Sequence, residues 1–276
     1  MEEVVLLGGE RQGVLIEGFD LSNSPKDYAR EKVNGRVVGF TTTNGTKALM
    51  KCSNNSKNGG RTSTSNKIYI GAFCNLSAVA RKILDDDDDD ENSSDGGGPI
   101  HIVCAGSDGQ VCGEDVLFAG ALCEQLMLRQ RQESDEKRSS ECGNEESLSS
   151  SPFFFFEDSA RIAMYQWKEE TGGYGGYPDV HDDRSVQEDE NGDEGSRNVG
   201  VAKQNLEGRL KQALRHTKGG RGLVALGPTY EDDLDIVAQI DTHDLVGVYQ
   251  KQSQSPREDQ DSSSGDEYRP SIIVAT

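Results

Sequence analysis

Residues 37–50 read as an apolar strand, Val37-Val38-Gly39-Phe40, a turn, Thr41-Thr42-Thr43-Asn44-Gly45-Thr46, and a helix, Lys47-Ala48-Leu49-Met50. A junction of this kind leaves the end of a sheet, and it recurs. Ile68-Tyr69-Ile70 leads to a predicted helix over 77–84, with Asn75 as its cap. Ile100 to Cys104 runs into Ala105-Gly106-Ser107-Asp108-Gly109 and then a helix from Glu114 to about Arg131. Its apolar stripe holds Val116, Leu117, Phe118, Leu122, Leu126 and Met127, and its acidic first turn suits the helix dipole. Near-continuous apolar strands alternating with helices predict an α/β fold, with helices on both faces of one sheet. In such sheets ligands bind outside the carboxyl ends of the strands, where all these glycine- and hydroxyl-rich turns fall.

The rest of the chain follows the same grammar. Val4 to Leu7 and Val14-Leu15-Ile16 read as strands. Residues 152–170 read as a helix with Ile162, Met164, Tyr165 and Trp167 facing the core. A helix over 205–216, a strand over 223–226, a helix over 231–240 and a strand over 245–249 follow. Polar, low-complexity inserts are expected at 51–66, 85–98, 132–151 and 171–199. The expectation is a single domain over 1–249 and a mostly polar tail over 250–276.

Charge follows the inserts. Of a net charge of −20, residues 85–98 and 171–199 carry −14. The remaining blocks are close to neutral, so acidity belongs to the inserts and not to the core. It argues against nucleic acid and anionic membrane as partners. No apolar run approaches the ~20 residues that a membrane helix needs. No basic region followed by an apolar stretch opens the chain, so a soluble, cytoplasmic protein is expected. Six cysteines, at 52, 74, 104, 112, 123 and 142, form no CxxC pair and read mainly as buried thiols.

Several turns carry chemistry. The N–H groups and hydroxyls of Thr42, Thr43, Asn44, Gly45 and Thr46 suit an anion such as phosphate; a capped turn is the plainer reading. Arg11, after Gly8-Gly9-Glu10, can fork onto a phosphate, carboxylate or sulfonate, or form a surface ion pair. Asp20 is a candidate Mg²⁺ ligand or an Asx-turn carboxylate. Glu114 and Asp115 cap their helix or ligate metal and orient water. Cys104 lacks the downstream Arg of cysteine-dependent phosphatase loops, Gln110 standing in its place. Asp-x-Asp and Walker phosphate loops are absent. The histidines at 101, 181, 216 and 243 are scattered, and the acid run 85–90 lacks an EF-hand's ligand spacing.

Taken in order, Gly8-Gly9-Glu10-Arg11, Gly18-Phe19-Asp20 with Asn23-Ser24-Pro25, Thr42 to Thr46, Asn75 with Ser77 to Ala80, and Glu114-Asp115 with Ala119-Gly120 resemble the 2-phosphosulfolactate phosphatase family. Ala225-Leu226-Gly227 and Glu231-Asp232-Asp233 extend the likeness. The resemblance implies a three-layer α/β/α domain that hydrolyses 2-phospho-3-sulfolactate to 3-sulfolactate and phosphate with Mg²⁺, in coenzyme M biosynthesis. It implies Arg11, Asn44 and Glu114 as catalytic residues and Thr42, Thr43, Gly45, Thr46 and Gly106 as substrate-binding ones. Glu10, Asp20 and Asp115 would hold the metal. The expected partner is a small phosphorylated sulfonate or carboxylate, with a homo-oligomer open. The family's opening segment, with its Asp-x-x-Arg-Ala-Thr-like motif, finds no counterpart before Met1, so an N-terminally incomplete member is expected. Two other readings stay open: a Mg²⁺ phosphatase for another small phosphorylated acid, and a non-catalytic relative that acts as a binding protein.

Overall fold

The computed structural model describes residues 5–11, 13–55, 67–88, 99–140, 154–174, 194–250 and 271–275. In chain order, the first part holds β1 (Val5–Arg11), β2 (Val14–Leu15), α1 (Arg30–Val33), β3 (Val37–Thr41) and α2 (Gly45–Asn55). Next come β4 (Ile68–Gly71), α3 (Leu76–Asp88), β5 (Ile100–Cys104), α4 (Gly113–Ser140) and α5 (Asp158–Thr171). The last part holds α6 (Glu194–His216), α7 (Lys218–Leu226), α8 (Pro228–Glu231), α9 (Asp233–Val237), β6 (Gly247–Val248) and β7 (Ser271–Ala275).

The strands form two sheets, ordered β2-β1-β3 and β5-β7-β4-β6. β1 and β3 run parallel with Gly9 opposite Thr41, and β7 lies parallel between β4 and β5. The two short strands, β2 and β6, pair antiparallel. The α/β character and the mixed, largely parallel pairing therefore hold, but the strands divide between two sheets instead of forming the single sheet expected. Successive residues of β4 divide between two cores. Tyr69 joins the large cluster built from α3, α4, α5, α6 and α9, whereas Ile68 and Ile70 join a smaller one with Ala48 and Cys52 of α2.

Close helix contact explains part of the large core. A Cβ on Gly120 of α4 would lie 2.1 Å from the Ala163 carbonyl of α5, so only glycine allows this approach. The buried face of α5 is Ala163, Trp167 and Thr171, at helical spacing. Ile162 and Tyr165, expected in the core, point outward and are exposed; Trp167 is fully buried as expected. Below this crossing, Glu124 accepts from Trp167 Nε1 at 2.7 Å and from the Tyr174 N–H at 2.9 Å.

Other expectations change. Residues 223–226 lie in helix α7 and not in a strand. Four apolar residues cannot distinguish the two, and here Thr217 caps the helix by accepting the Gly220 N–H at 3.1 Å. The helix expected over 231–240 is broken at Asp232 into α8 and α9, and the 245–249 strand shrinks to two residues. α2, α3, α4 and α6 each run into expected inserts, because polar composition alone does not end a helix that lacks Pro; apart from residues 171–174, at the end of α5 and just after it, the remainder of each insert lies outside the described residues. The end of the expected polar tail supplies β7, a central strand. Asn75 does not cap α3: it closes a short 3-10 turn, and Asp241 caps instead, accepting from Ser77 N and Oγ at 2.7 Å each. Among the described residues, no helix is long and apolar enough to cross a membrane.

A candidate active site at three strand ends

β3 ends at Thr41, and the chain turns through residues 42–44 into α2. All six residues of the turn, 41–46, are half-buried. The turn partly satisfies itself: Thr42 Oγ1 accepts the Asn44 N–H at 3.4 Å, and the Thr46 hydroxyl donates to the Thr42 carbonyl. The Asn44 carbonyl accepts the Ala48 N–H at 3.0 Å and starts the helix. The Asn44 side chain does something else. Its Oδ1 accepts the Asp108 N–H, 3.3 Å away in the turn after β5. Two strand-end turns 64 residues apart in sequence are thus joined by one hydrogen bond.

The turn after β5 is tightly wound. Ser107 and Gln110 exchange two backbone hydrogen bonds of 3.0 Å, and Gly106, Asp108 and Gly109 have positive φ. Gly106 is required, since a Cβ there would meet the Gln110 carbonyl at 2.5 Å. Its N–H is donated to Asp115 Oδ2 at 2.6 Å, so Gly106 holds a carboxylate in place. Asp115 is buried; desolvation, and then the Glu114 charge, push its acid up against the opposing pull of the Gly106 N–H.

Glu114 is different. Its Oε2 is buried and has no hydrogen-bond partner among the described residues. Its Oε1 faces α7, where a Cβ on Gly219 would lie 2.5 Å away. Gly113 presses on Thr217 in the same way, at 3.1 Å from its Cγ2. The first turns of α4 and α7 therefore meet at Glu114. Lys218 reaches out of this junction to Ser107 Oγ at 3.0 Å and Asp108 Oδ2 at 3.4 Å. Burial, and then Glu114 and Asp115, push the neighbouring Cys112 thiol up, with Lys218 opposing them. Cys104 is exposed as a residue, yet desolvation and the adjacent Asp115 and Cys112 push its thiol up to about 11. A protonated thiol is a poor nucleophile at neutral pH.

The end of β1 lies beside the end of β3: Gly9 is the last residue paired with β3, and Glu10 and Arg11 beyond it pair with β2. Their side chains are spent locally. Glu10 Oε2 accepts the Gly13 N–H at 2.7 Å, and the exposed Arg11 donates to the Glu10 carbonyl at 2.7 Å. Asp20 accepts the Leu7 N–H at 2.9 Å and, with Leu21, lines the open edge of β1. Glu10, Asp20 and Asp115 are not gathered as one ligand set: among the described residues, no group of three His, Cys, Asp or Glu side chains has a metal-holding arrangement.

The structure thus brings Thr42 to Thr46, Gly106, Glu114 and Asp115 to one corner, places Glu10 and Arg11 on the adjacent strand end, and leaves Asp20 on the β1 edge. Sequence reasoning missed Asp108 and Lys218. Their signals were an Asp-Gly turn and a Thr-Lys-Gly-Gly helix start. It also missed that two of the quoted motifs touch: Ser24 Oγ donates to the buried Asp233 Oδ1 at 2.9 Å, beside Lys26 at 3.3 Å. A shallow groove of about 370 Å³ on α5, walled by Phe154 to Phe156, Arg161, Tyr165 and Lys168, includes none of the candidate site residues.

The profile of the family described as 2-phosphosulpholactate phosphatase matches residues 1–163. A protein of Caldanaerobacter subterraneus subsp. tengcongensis is 41% identical over 134 residues, covering 49% of this chain and 47% of that protein. One of Caldicellulosiruptor saccharolyticus is 42% identical over 120 residues, 44% and 43% of the two chains. One of Thermotoga maritima is 36% identical over 125 residues, 45% of each. All three carry the name "Probable 2-phosphosulfolactate phosphatase". The chain spans about half the length of the curated relatives it matches.

Proposed function

The chain belongs to the 2-phosphosulpholactate phosphatase family, and from that premise we propose that it is a phosphoric monoester hydrolase that converts 2-phospho-3-sulfolactate to 3-sulfolactate and phosphate. The observation that carries the reading is the Asp108 N–H to Asn44 Oδ1 hydrogen bond. It sets an anion-type helix start beside a pair of buried-corner carboxylates, the two halves that phosphoester hydrolysis needs.

In this reading the first N–H groups of α2, which have no partner within the helix, face the phosphate together with the Thr43 hydroxyl. They are fixed before substrate arrives, so charge that develops on the phosphoryl oxygens meets oriented dipoles. Thr42 and Thr46 shape the turn. Asn44 holds it against the Asp108 loop and acts as a positioning residue. An attacking water needs an acceptor, and Glu114 Oε2, buried and without a hydrogen-bond partner among the described residues, can supply it. Arg11 stands at the adjacent strand end, where its guanidinium would have to leave the Glu10 carbonyl to reach the phosphate.

Mg²⁺ fits the corner on the same observation. An unpartnered buried carboxylate oxygen beside a second, desolvated carboxylate is a place where a hard cation relieves a cost. Asp115 would hold it, with Glu114 reaching it through the water that donates to Glu114, and one or two carboxylates suffice when phosphate and water complete the ligands. When bound, it would neutralise charge on the phosphoryl oxygens. Glu10 and Asp20 are left with structural roles.

The family reading also carries finer proposals: a three-layer packing, supported by the two cores on β4, a soluble cytoplasmic protein, and a place in coenzyme M biosynthesis. The test is phosphate release from 2-phosphosulfolactate with Mg²⁺ and then with EDTA. Release that EDTA abolishes supports the reading; no release from a folded sample overturns it.

A further inference from the structure

Lys218 is placed with unusual care for an exposed lysine. Thr217 caps α7 just before it. Two glycines follow it. A Cβ on Gly219 would strike the Glu114 carboxylate at 2.5 Å, and one on Gly220 would lie 2.0 Å from the Leu214 carbonyl. The backbone that carries Lys218 is therefore pressed against α6 on one side and the start of α4 on the other. From there its Nζ crosses to the β5 loop, 3.0 Å from Ser107 Oγ and 3.4 Å from Asp108 Oδ2.

Stability does not account for this placement. The side chains of Lys218 and Asp108 are 48% and 76% exposed, and a pair so wetted adds little. Charge balance does account for it. The corner holds Asp108, Glu114 and Asp115, and the proposed substrate brings further negative charge. Lys218 is the cation that the hydrogen bonds among the described residues place on the loop after β5, whereas Arg11 is spent on the carbonyl before it. Asp108 touches Asn44 through its N–H and Lys218 through its carboxylate. The phosphate-type turn and the ammonium are thus one residue apart, a separation suited to two acidic groups on one small molecule.

We infer that Lys218 is the residue that binds the substrate's second acidic group, a carboxylate or sulfonate, and so selects phosphomonoesters that carry one; Ser107 and Asp108 hold the ammonium until that group displaces them. This rests on the phosphatase reading above and adds a determinant of specificity to it. Lys218 acts as a point charge with rotatable donors, so the contact depends on charge more than on shape.

The test compares 2-phosphosulfolactate with p-nitrophenyl phosphate, which has no second acidic group, in wild type, Lys218→Met and Lys218→Arg. The ratio of the two kcat/KM values is expected to fall roughly 10- to 100-fold in Lys218→Met, mainly through KM for the sulfolactate ester, and to recover most of that loss in Lys218→Arg. Equal losses on both substrates, the result of a merely structural clasp, would overturn the inference, as would an unchanged ratio. If wild type hydrolyses neither ester, the phosphatase reading fails by itself. Calorimetric titration of 3-sulfolactate into wild type and Lys218→Met then decides: at least tenfold weaker binding in the variant supports the anion site, and equal or absent binding rejects it.

Discussion

Two groups of carboxylates sit at strand ends in this molecule and are used differently. At the β1 edge, Glu10 and Asp20 each accept a backbone N–H, from Gly13 and Leu7, at hydrogen-bond lengths of 2.7 and 2.9 Å. They complete a hairpin and an open strand edge. At the β5 corner, Asp115 is held by Gly106 but kept desolvated, and Glu114 keeps a buried oxygen without a partner among the described residues. In sequence all four look alike, as acids near glycine in turns. What separates them is bonding capacity left over after folding. A carboxylate that has met its hydrogen-bond needs on the main chain is part of the scaffold, whereas one left unsatisfied in a buried corner is costly unless a ligand completes it.

The sharpest way to break this contrast is Glu114→Gln. It removes the charge but keeps the shape, and it should lower kcat by about 100-fold or more with the fold intact; steady-state phosphate release and a thermal melt check the two halves. Asn44→Ala should cost roughly 10- to 100-fold in kcat/KM, because it unties the two turns without touching the reacting atoms. Arg11→Ala should cost less than about tenfold, since its guanidinium is exposed and bonded to its own neighbour's carbonyl. A larger loss there than in Glu114→Gln would move the centre of the site to the β1 end. Asp20→Ala should act on stability instead, at about 1 kcal/mol in urea titration with little change in kcat, because the Leu7 N–H loses its acceptor.

The smallest effect concerns acid. The Ser22 hydroxyl, then the Ser22 N–H, hold the Asp27 carboxyl below its ordinary 3.8. A lowered folded value means that the contribution is present above the ordinary value and lost as pH falls through the folded one. Urea midpoints should therefore fall further in wild type than in Asp27→Asn between about pH 5 and about pH 3, and the gap between them should close at the acid end.

The strand–turn–helix over 37–50 was legible because apolar periodicity and turn chemistry agreed over one continuous stretch, and the same holds for β4–α3 and β5–α4. The run 223–226 misled because four apolar residues suit either period, and the deciding signal was the Thr217 cap before it. β7 was missed because its β-branched run, Ile272-Ile273-Val274, is short and follows a long polar tail, and its partners, β4 and β5, lie far away in the chain. That Asp241 caps a helix 164 residues away depends on tertiary contact alone. For the site, residue types at strand ends pointed to the right region. Which acids were already satisfied, and that Lys218 crosses to Asp108, required coordinates.

The central claim is that the Asn44 turn and the Glu114 corner work as one site. A double-mutant cycle on kcat/KM for 2-phosphosulfolactate, with Asn44→Ala, Glu114→Gln and the pair, tests it directly. One site predicts that the double variant is little worse than Glu114→Gln alone, because groups acting as a unit are strongly non-additive. Penalties that simply multiply would mean that the two turns act independently, and the account would fail.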